Sequence, residues 1–232
     1  MWGTATGLLA LLTERNDQLK IYGLRSLHMI VEDEWPQIAD ELEPADKSLI
    51  LKLSNDENFP DYKNAALLAS KTYYHLGKLD EAIDNAIKAE EIFDTTKKDE
   101  YTSTIIAHAV KQYIQMTLNP KKYDQKIFSK KINALLKIVE NVLQNLLDQE
   151  NYSGCLCLAI ETRSNDFVKT TLERNPSLVT DAIILTMDTV KDSKYRQKLL
   201  TLFLQFASSY CDKFQLSQLY HALNEPKSVA DL

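Results

Sequence analysis

Along almost the whole of the 232-residue chain, apolar side chains recur every three or four positions, the spacing that gathers them on one face of an α-helix. Leu8, Leu9, Leu11 and Leu12, then Leu19, Ile21, Leu24, Leu27, Ile30 and Val31, predict a helix pair whose second member is capped by Asp17. Pro36 suits the first turn of a separate short helix, which Glu43-Pro44 breaks. A helix rich in Ala and Tyr is expected from Asp61 to Leu76, closed by Gly77, with a second from Leu79 to Phe93. Helices joined by so few residues must be antiparallel neighbours.

A further helix should run from Glu100 to Leu118 and stop at Asn119-Pro120. After a basic stretch at Lys121, Lys122, Lys126, Lys130 and Lys131 comes the clearest stripe: Ile132, Leu135, Leu136, Val139, Val142, Leu143, Leu146 and Leu147. Helices follow at Tyr152–Thr162, Asp166–Glu173, Pro176–Val190, Lys194–Ser208 and Lys213–Leu223, with Asn151, Asn175, Ser193 and Asp212 as caps. No segment alternates with period two for long enough to read as a strand. The predicted fold is all-α: an irregular α-solenoid of antiparallel helix hairpins, forming one domain over residues 1–232.

Composition agrees, since five Gly and six Pro leave few turn formers. Formal net charge is −6, which disfavours nucleic acid and anionic membrane as partners because phosphate neutralisation needs surplus Lys and Arg. The whole of that balance lies in residues 1–60. Glu32, Asp33, Glu34, Asp40, Glu41, Glu43 and Asp46 follow one another with no basic residue between them. Such a run is either a solvated face or a polar docking surface for a basic partner, and Glu32, Asp33, Glu34, Asp40 and Glu41 are the candidate docking residues.

Catalytic chemistry finds no foothold in the sequence. Cys155 and Cys157 lie about 200° apart around a helix and cannot readily chelate one ion. His28, His75, His108 and His221 form no pair at metal-ligand spacing, and His75 is expected to meet the last carbonyls of its helix. There is no Gly-x-Ser-x-Gly elbow, and Gly3 and Gly7 lack the Lys-Ser/Thr of a phosphate loop. The adjacent acids Glu32-Asp33-Glu34 and Glu90-Glu91 diverge on a helix rather than converge on an ion. No catalytic residue, metal or cofactor is therefore expected, and an all-α enzyme is the least favoured class. Three cysteines imply no disulfide framework. The apolar run Leu8–Leu12 is too short for a signal-peptide core, and nothing approaches the roughly 20 residues of a membrane span. Cytoplasm and nucleus are the expected compartments. Asn151-Tyr152-Ser153 spells a glycosylation sequon, but a cap is the simpler role for Asn151 there.

The run Ala65–Ile92 resembles a tetratricopeptide unit through Ser70, Tyr73, Gly77, Ala82 and Ala89, the small residues allowing the two helices to approach. Other pairs match that pattern poorly. On a larger scale, three blocks resemble in order and spacing the N-terminal rod of the largest non-ATPase scaffold subunit of the 26S proteasome regulatory particle, of the proteasome/cyclosome-repeat family. They are Gly7–Leu12 with Gln18-Leu19-Lys20, Ala66–Gly77 with Glu81-Ala82, and Ala159–Arg163 with Asp166. The resemblance implies a non-catalytic scaffold that contacts lid and base subunits during degradation of ubiquitinated proteins. The alternative is a tetratricopeptide-like adaptor that binds peptide segments of another complex. Asn224-Glu225-Pro226 reads as a helix start with only six residues behind it, so continuation beyond Leu232 is expected. Apolar side chains of the last hairpins, from Leu199, Leu202, Phe203 and Phe206 or from Leu216, Leu219 and Leu223, should then be exposed.

Overall fold

The computed structural model describes the backbone of residues 4–122 and 125–225 and the side chains of 4–121 and 128–225. Among the described residues there are helices and turns and no strand. The chain divides into two compact units, residues 1–138 and 139–232.

In the first unit, α1 (Ala5–Ala10) tightens into a 3₁₀ turn at Leu11–Thr13 and is followed by α2 (Asp17–Leu42), α3 (Leu49–Asn55), α4 (Tyr62–His75) and α5 (Leu79–Ala89). A 3₁₀ turn at Glu90–Ile92 leads to α6 (Glu100–Leu118) and then to α7 (Gln125–Asp148), inside which the division between the units falls. Helix α2 packs against α1 and α4, α4 against α3 and α5, and α5 against α6. The apolar stripes meet in a core that fully buries Leu24, Leu27, Ile38, Leu42, Ile50, Leu68 and Ile105. Each such side chain stabilises the fold by about 1.5 to 3 kcal/mol of transfer free energy.

In the second unit, the end of α7 is followed by α8 (Tyr152–Glu161), α9 (Asn165–Arg174), a 3₁₀ turn at Pro176–Leu178, α10 (Val179–Thr189), α11 (Ser193–Tyr210) and α12 (Lys213–Ala222). Neighbours in sequence are neighbours in space: α8 packs on α9, α10 on α11 and α11 on α12. Leu143, Val168, Leu172, Leu199 and Phe203 have no exposed surface. Consecutive helices packed on one another, with no strand among the described residues, are consistent with an all-α solenoid.

Several local expectations are corrected. Pro36 opens no new helix; it lies within α2. Its ring is on the exposed side, so the Glu32 carbonyl that loses its amide donor can turn to water. The buried face passes uninterrupted from Val31 to Ile38 on the opposite side. The cap of α2 is Asn16, whose Oδ1 accepts from the Gln18 N–H at 2.9 Å, not Asp17. Asp192 caps α11 in place of Ser193, accepting from the N–H groups of Lys194 and Tyr195. Asn175 ends α9 and also stands at the N-cap of the 3₁₀ turn Pro176–Leu178 that leads into α10, where its side chain makes no cap bond; its Oδ1 accepts from the Ser177 hydroxyl. Asn151 and Asp212 do cap α8 and α12, Asp212 in a capping box with Gln215.

Helix α3 was not visible in the apolar pattern, although Ser48 ahead of Leu49-Ile50-Leu51 was a usable signal: its Oγ accepts from the Leu51 N–H. At the other end of the chain, Leu199, Phe203, Leu216 and Leu219 are buried. The large apolar side chains exposed there are Tyr210 and Phe214. Pro226 lies outside the described residues.

Candidate protein-docking surface

The α4–α5 hairpin is built on small side chains. Ala65, Ala66, Ala69, Ala82, Ala86 and Ala89 are all buried, which lets the two backbones approach closely enough for a side chain on one helix to reach a carbonyl on the other. Ser70, wholly buried, donates from Oγ to the Ala82 carbonyl at 2.6 Å. Because its one proton is used there, Tyr101 on α6 must be the donor in the 2.7 Å contact between the two hydroxyls. Burial drives the Tyr101 phenol far above its ordinary range, so it stays a neutral donor. Tyr73 is buried beside these residues, and burial raises its phenol as well. Gly77 ends the helix with φ +72°, its N–H bonded to the Tyr74 carbonyl while the Lys78 N–H returns to Tyr73.

Around this hairpin, aromatic rings and charges tie α2, α4 and α6 together. Tyr74 meets Tyr101 edge-on at 5.4 Å, and Phe93 meets Tyr101 edge-on at 6.0 Å. Glu32 on α2 receives Lys71 at 3.2 Å and the His75 Nε2 at 3.1 Å, and the His75 ring stacks on Trp35 at 5.7 Å. His75 thus faces α2 rather than the carbonyls that end its own helix. Farther along α2, the His28 Nε2–H donates to the Asn64 carbonyl at 2.7 Å. Burial, outweighing that bond, pulls the His28 imidazole below its ordinary range and keeps it neutral.

The acidic residues therefore differ in what they touch. Glu32 is held by α4, Glu34 accepts from the Gln37 amide at 2.6 Å, and Glu41 accepts from the Leu49 N–H at 2.8 Å, acting as a remote cap for α3. Glu43 is paired with Lys78. Asp33 and Asp40 are exposed. The five candidates share one helix, but three of them carry intrachain bonds that sequence reasoning did not foresee, since their partners lie up to 43 positions away.

Among the described residues, the surface of the first unit has a cleft and a groove of note. One is a polar cleft of about 400 Å³ where the α4–α5 turn meets α6, with Lys78, Asp80, His108 and Gln112 among its walls. Gln112 donates to Asp80 at 3.2 Å across it. The other is a shallow groove of about 380 Å³ on α2 between Tyr22 and Met29. Neither holds a nucleophile paired with a base. Among the described residues, no group of three or more His, Cys, Asp or Glu could hold a metal ion. Nor is any helix long and apolar enough to cross a membrane. Cys155 is buried, in contact with the Thr171 hydroxyl at 3.3 Å, and burial raises its thiol, whereas Cys157 is exposed.

Comparison with known proteins adds the decisive observation. The family description "26S proteasome subunit RPN2, N-terminal domain" matches residues 3–232. The chain is 29% identical to the 26S proteasome regulatory subunit RPN2 of Saccharomyces cerevisiae over 96% of its length, covering 24% of that protein. It is 29% identical to the 26S proteasome non-ATPase regulatory subunit 1 of Drosophila melanogaster, with 99% of the chain and 22% of the relative covered. With the RPN2 of Eremothecium gossypii the identity is 31%, over 99% of the chain and 25% of the relative. The chain thus spans about a quarter of the length of the curated relatives it matches.

Proposed function

The chain belongs to the family of the N-terminal domain of 26S proteasome subunit RPN2, and from that premise we propose that it is a non-catalytic scaffold of the proteasome regulatory particle. The observation that carries this reading is the family match over residues 3–232, together with similarity over 96% and 99% of the chain to relatives named as regulatory and non-ATPase regulatory subunits of the 26S proteasome. Packed helices suit the role because they hold surface side chains in place, with little conformational freedom to lose on binding. In this role, residues 1–232 serve as one N-terminal helical domain that meets lid and base subunits, in cytoplasm and nucleus, while ubiquitinated proteins are degraded.

The docking face we assign is the acidic segment Glu32, Asp33, Glu34, Asp40 and Glu41, in which Asp33 and Asp40 are the acids offered to a partner and Glu32, Glu34 and Glu41 are held by bonds within the chain. The Ser70, Tyr73, Gly77, Ala82 and Ala89 hairpin behind it serves as the support that holds α2 in place. Affinity purification of the tagged chain from cells, followed by mass spectrometry, tests the assignment. Regulatory-particle subunits should be recovered together. Their absence would overturn the scaffold reading.

A further inference from the structure

The outer face of α2 carries one continuous stripe. Gln18, Tyr22, Arg25, Met29, Asp33 and Asp40 recur at helical spacing, covering about 33 Å at 1.5 Å per residue. The opposite face is spent on the core through Leu24, Leu27, Val31, Ile38 and Leu42. The stripe has two halves of different chemistry. In its first half, Tyr22 is 61% and Met29 66% exposed, two turns apart, with the groove of about 380 Å³ between them. A single exposed apolar side chain is ordinary, but a pair flanking a concavity is what an anchoring side chain requires. Arg25, between them, is 3.5 Å from Asp61, so its charge is countered from within the chain.

In the second half, the charges sort by partner. Glu32, Glu34, Glu41 and Glu43 are each bonded inside the chain. Asp33 and Asp40, two turns apart and both exposed on the stripe, make no such bond among the described residues. They are the acids left for an outside cation, and they follow directly on the apolar pair. Charge and apolar surface therefore prescribe one partner geometry.

We infer that the α2 stripe is the seat of an amphipathic basic helix from a neighbouring subunit. That helix places one apolar side chain in the groove between Tyr22 and Met29 and two Lys or Arg residues about seven positions apart against Asp33 and Asp40. The inference rests on the scaffold reading and names the chemistry of one partner within it. The basic residues set register and encounter rate, and the apolar anchor sets residence time.

The test replaces Met29 with a photoreactive benzophenone amino acid in the tagged full-length protein, with irradiation of the purified particles and sequencing of the cross-linked peptide. The expected product is a helical segment of one regulatory subunit with basic residues within two or three turns of the cross-link. Asp33→Lys with Asp40→Lys should reduce its yield about tenfold at low salt, without loss of helix content, and the defect should shrink at high salt. A cross-link to an acidic or neutral segment, to a second copy of the chain, or to nothing, in particles that still contain the protein, overturns the inference and leaves the scaffold reading standing. Failure of the protein to bring down any proteasome subunit removes both.

Discussion

Ser70 shows how much a single buried hydroxyl can organise. It joins the Ala82 carbonyl on α5 to the Tyr101 hydroxyl on α6, so three helices share one side chain of no exposure. Ser70→Ala should lower stability by about 1 to 3 kcal/mol, because the Tyr101 hydroxyl is left buried without an acceptor. Tyr101→Phe should cost less, since Ser70 keeps its bond to Ala82. In denaturant melts the double variant should be no worse than Ser70→Ala, as expected when both changes remove the same contact. Losses that simply added would show that the hydroxyl pair contributes nothing.

His28 offers a pH test at the same scale. Its folded form is held neutral by burial, reinforced by Lys71 and Lys97 and opposed by the Asn64 carbonyl and Asp61. The folded pKa is thus below the ordinary 6.5 of the unfolded chain. As pH falls through that value, the unfolded state takes up a proton that the folded state refuses. Stability is then lost on the acid side and unaffected above it. The melting temperature should fall more between pH ~7.5 and ~5.5 for the natural chain than for His28→Gln, which retains an N–H donor; equal falls would contradict it.

Among the elements, α2 and the α4–α5 turn invite opposite changes. Pro36 interrupts the hydrogen-bond ladder of α2 at an exposed position. Pro36→Ala should therefore raise stability by about 1 to 3 kcal/mol in thermal or denaturant unfolding. A loss instead would mean that the proline itself is needed for packing of α2. Gly77 is the reverse case: a Cβ there would meet nothing within 4 Å, but its φ of +72° disfavours any L side chain. Gly77→Ala should thus destabilise by about 1 to 2 kcal/mol from backbone conformation alone. Gly23, inside α2, has a different reason to lack a side chain. A Cβ would lie 3.0 Å from the Leu8 carbonyl oxygen and 3.2 Å from the Leu11 Cβ, so α1 could not lie as close. A glycine within an apolar helical pattern was the available sign of that contact.

For the whole molecule, the distribution of charge matters more than its total. The −6 excess sits in residues 1–60, yet the glutamates Glu32, Glu41 and Glu43 are engaged by α4, by the start of α3 and by the α4–α5 turn. Reversing all the acids of α2 at once would disturb folding and docking together. Changing Asp33 and Asp40 alone should leave the circular dichroism spectrum and melting temperature within error while weakening recovery of partner subunits, more at low salt than at high salt. Unchanged recovery at low salt would take the acidic face out of the scaffold hypothesis.

The helical class, most helix positions and the family to which the chain belongs were legible in the chain alone, because each depends on short-range periodicity, turn chemistry and the order of similar blocks. The sequence could not reveal that α2 runs through Pro36. Whether a proline bends or breaks a helix depends on where its ring points and on the buried face that Leu24 to Leu42 share with other elements. Nor could it separate the bound acids from the free ones. Glu32, Lys71 and His75 meet across tens of residues, and a carboxylate's partner is fixed by the packing of helices rather than by its neighbours in the chain. Tertiary structure made that choice: it consumed Glu32 and Glu41 inside the fold and left Asp33 and Asp40 on its outer face.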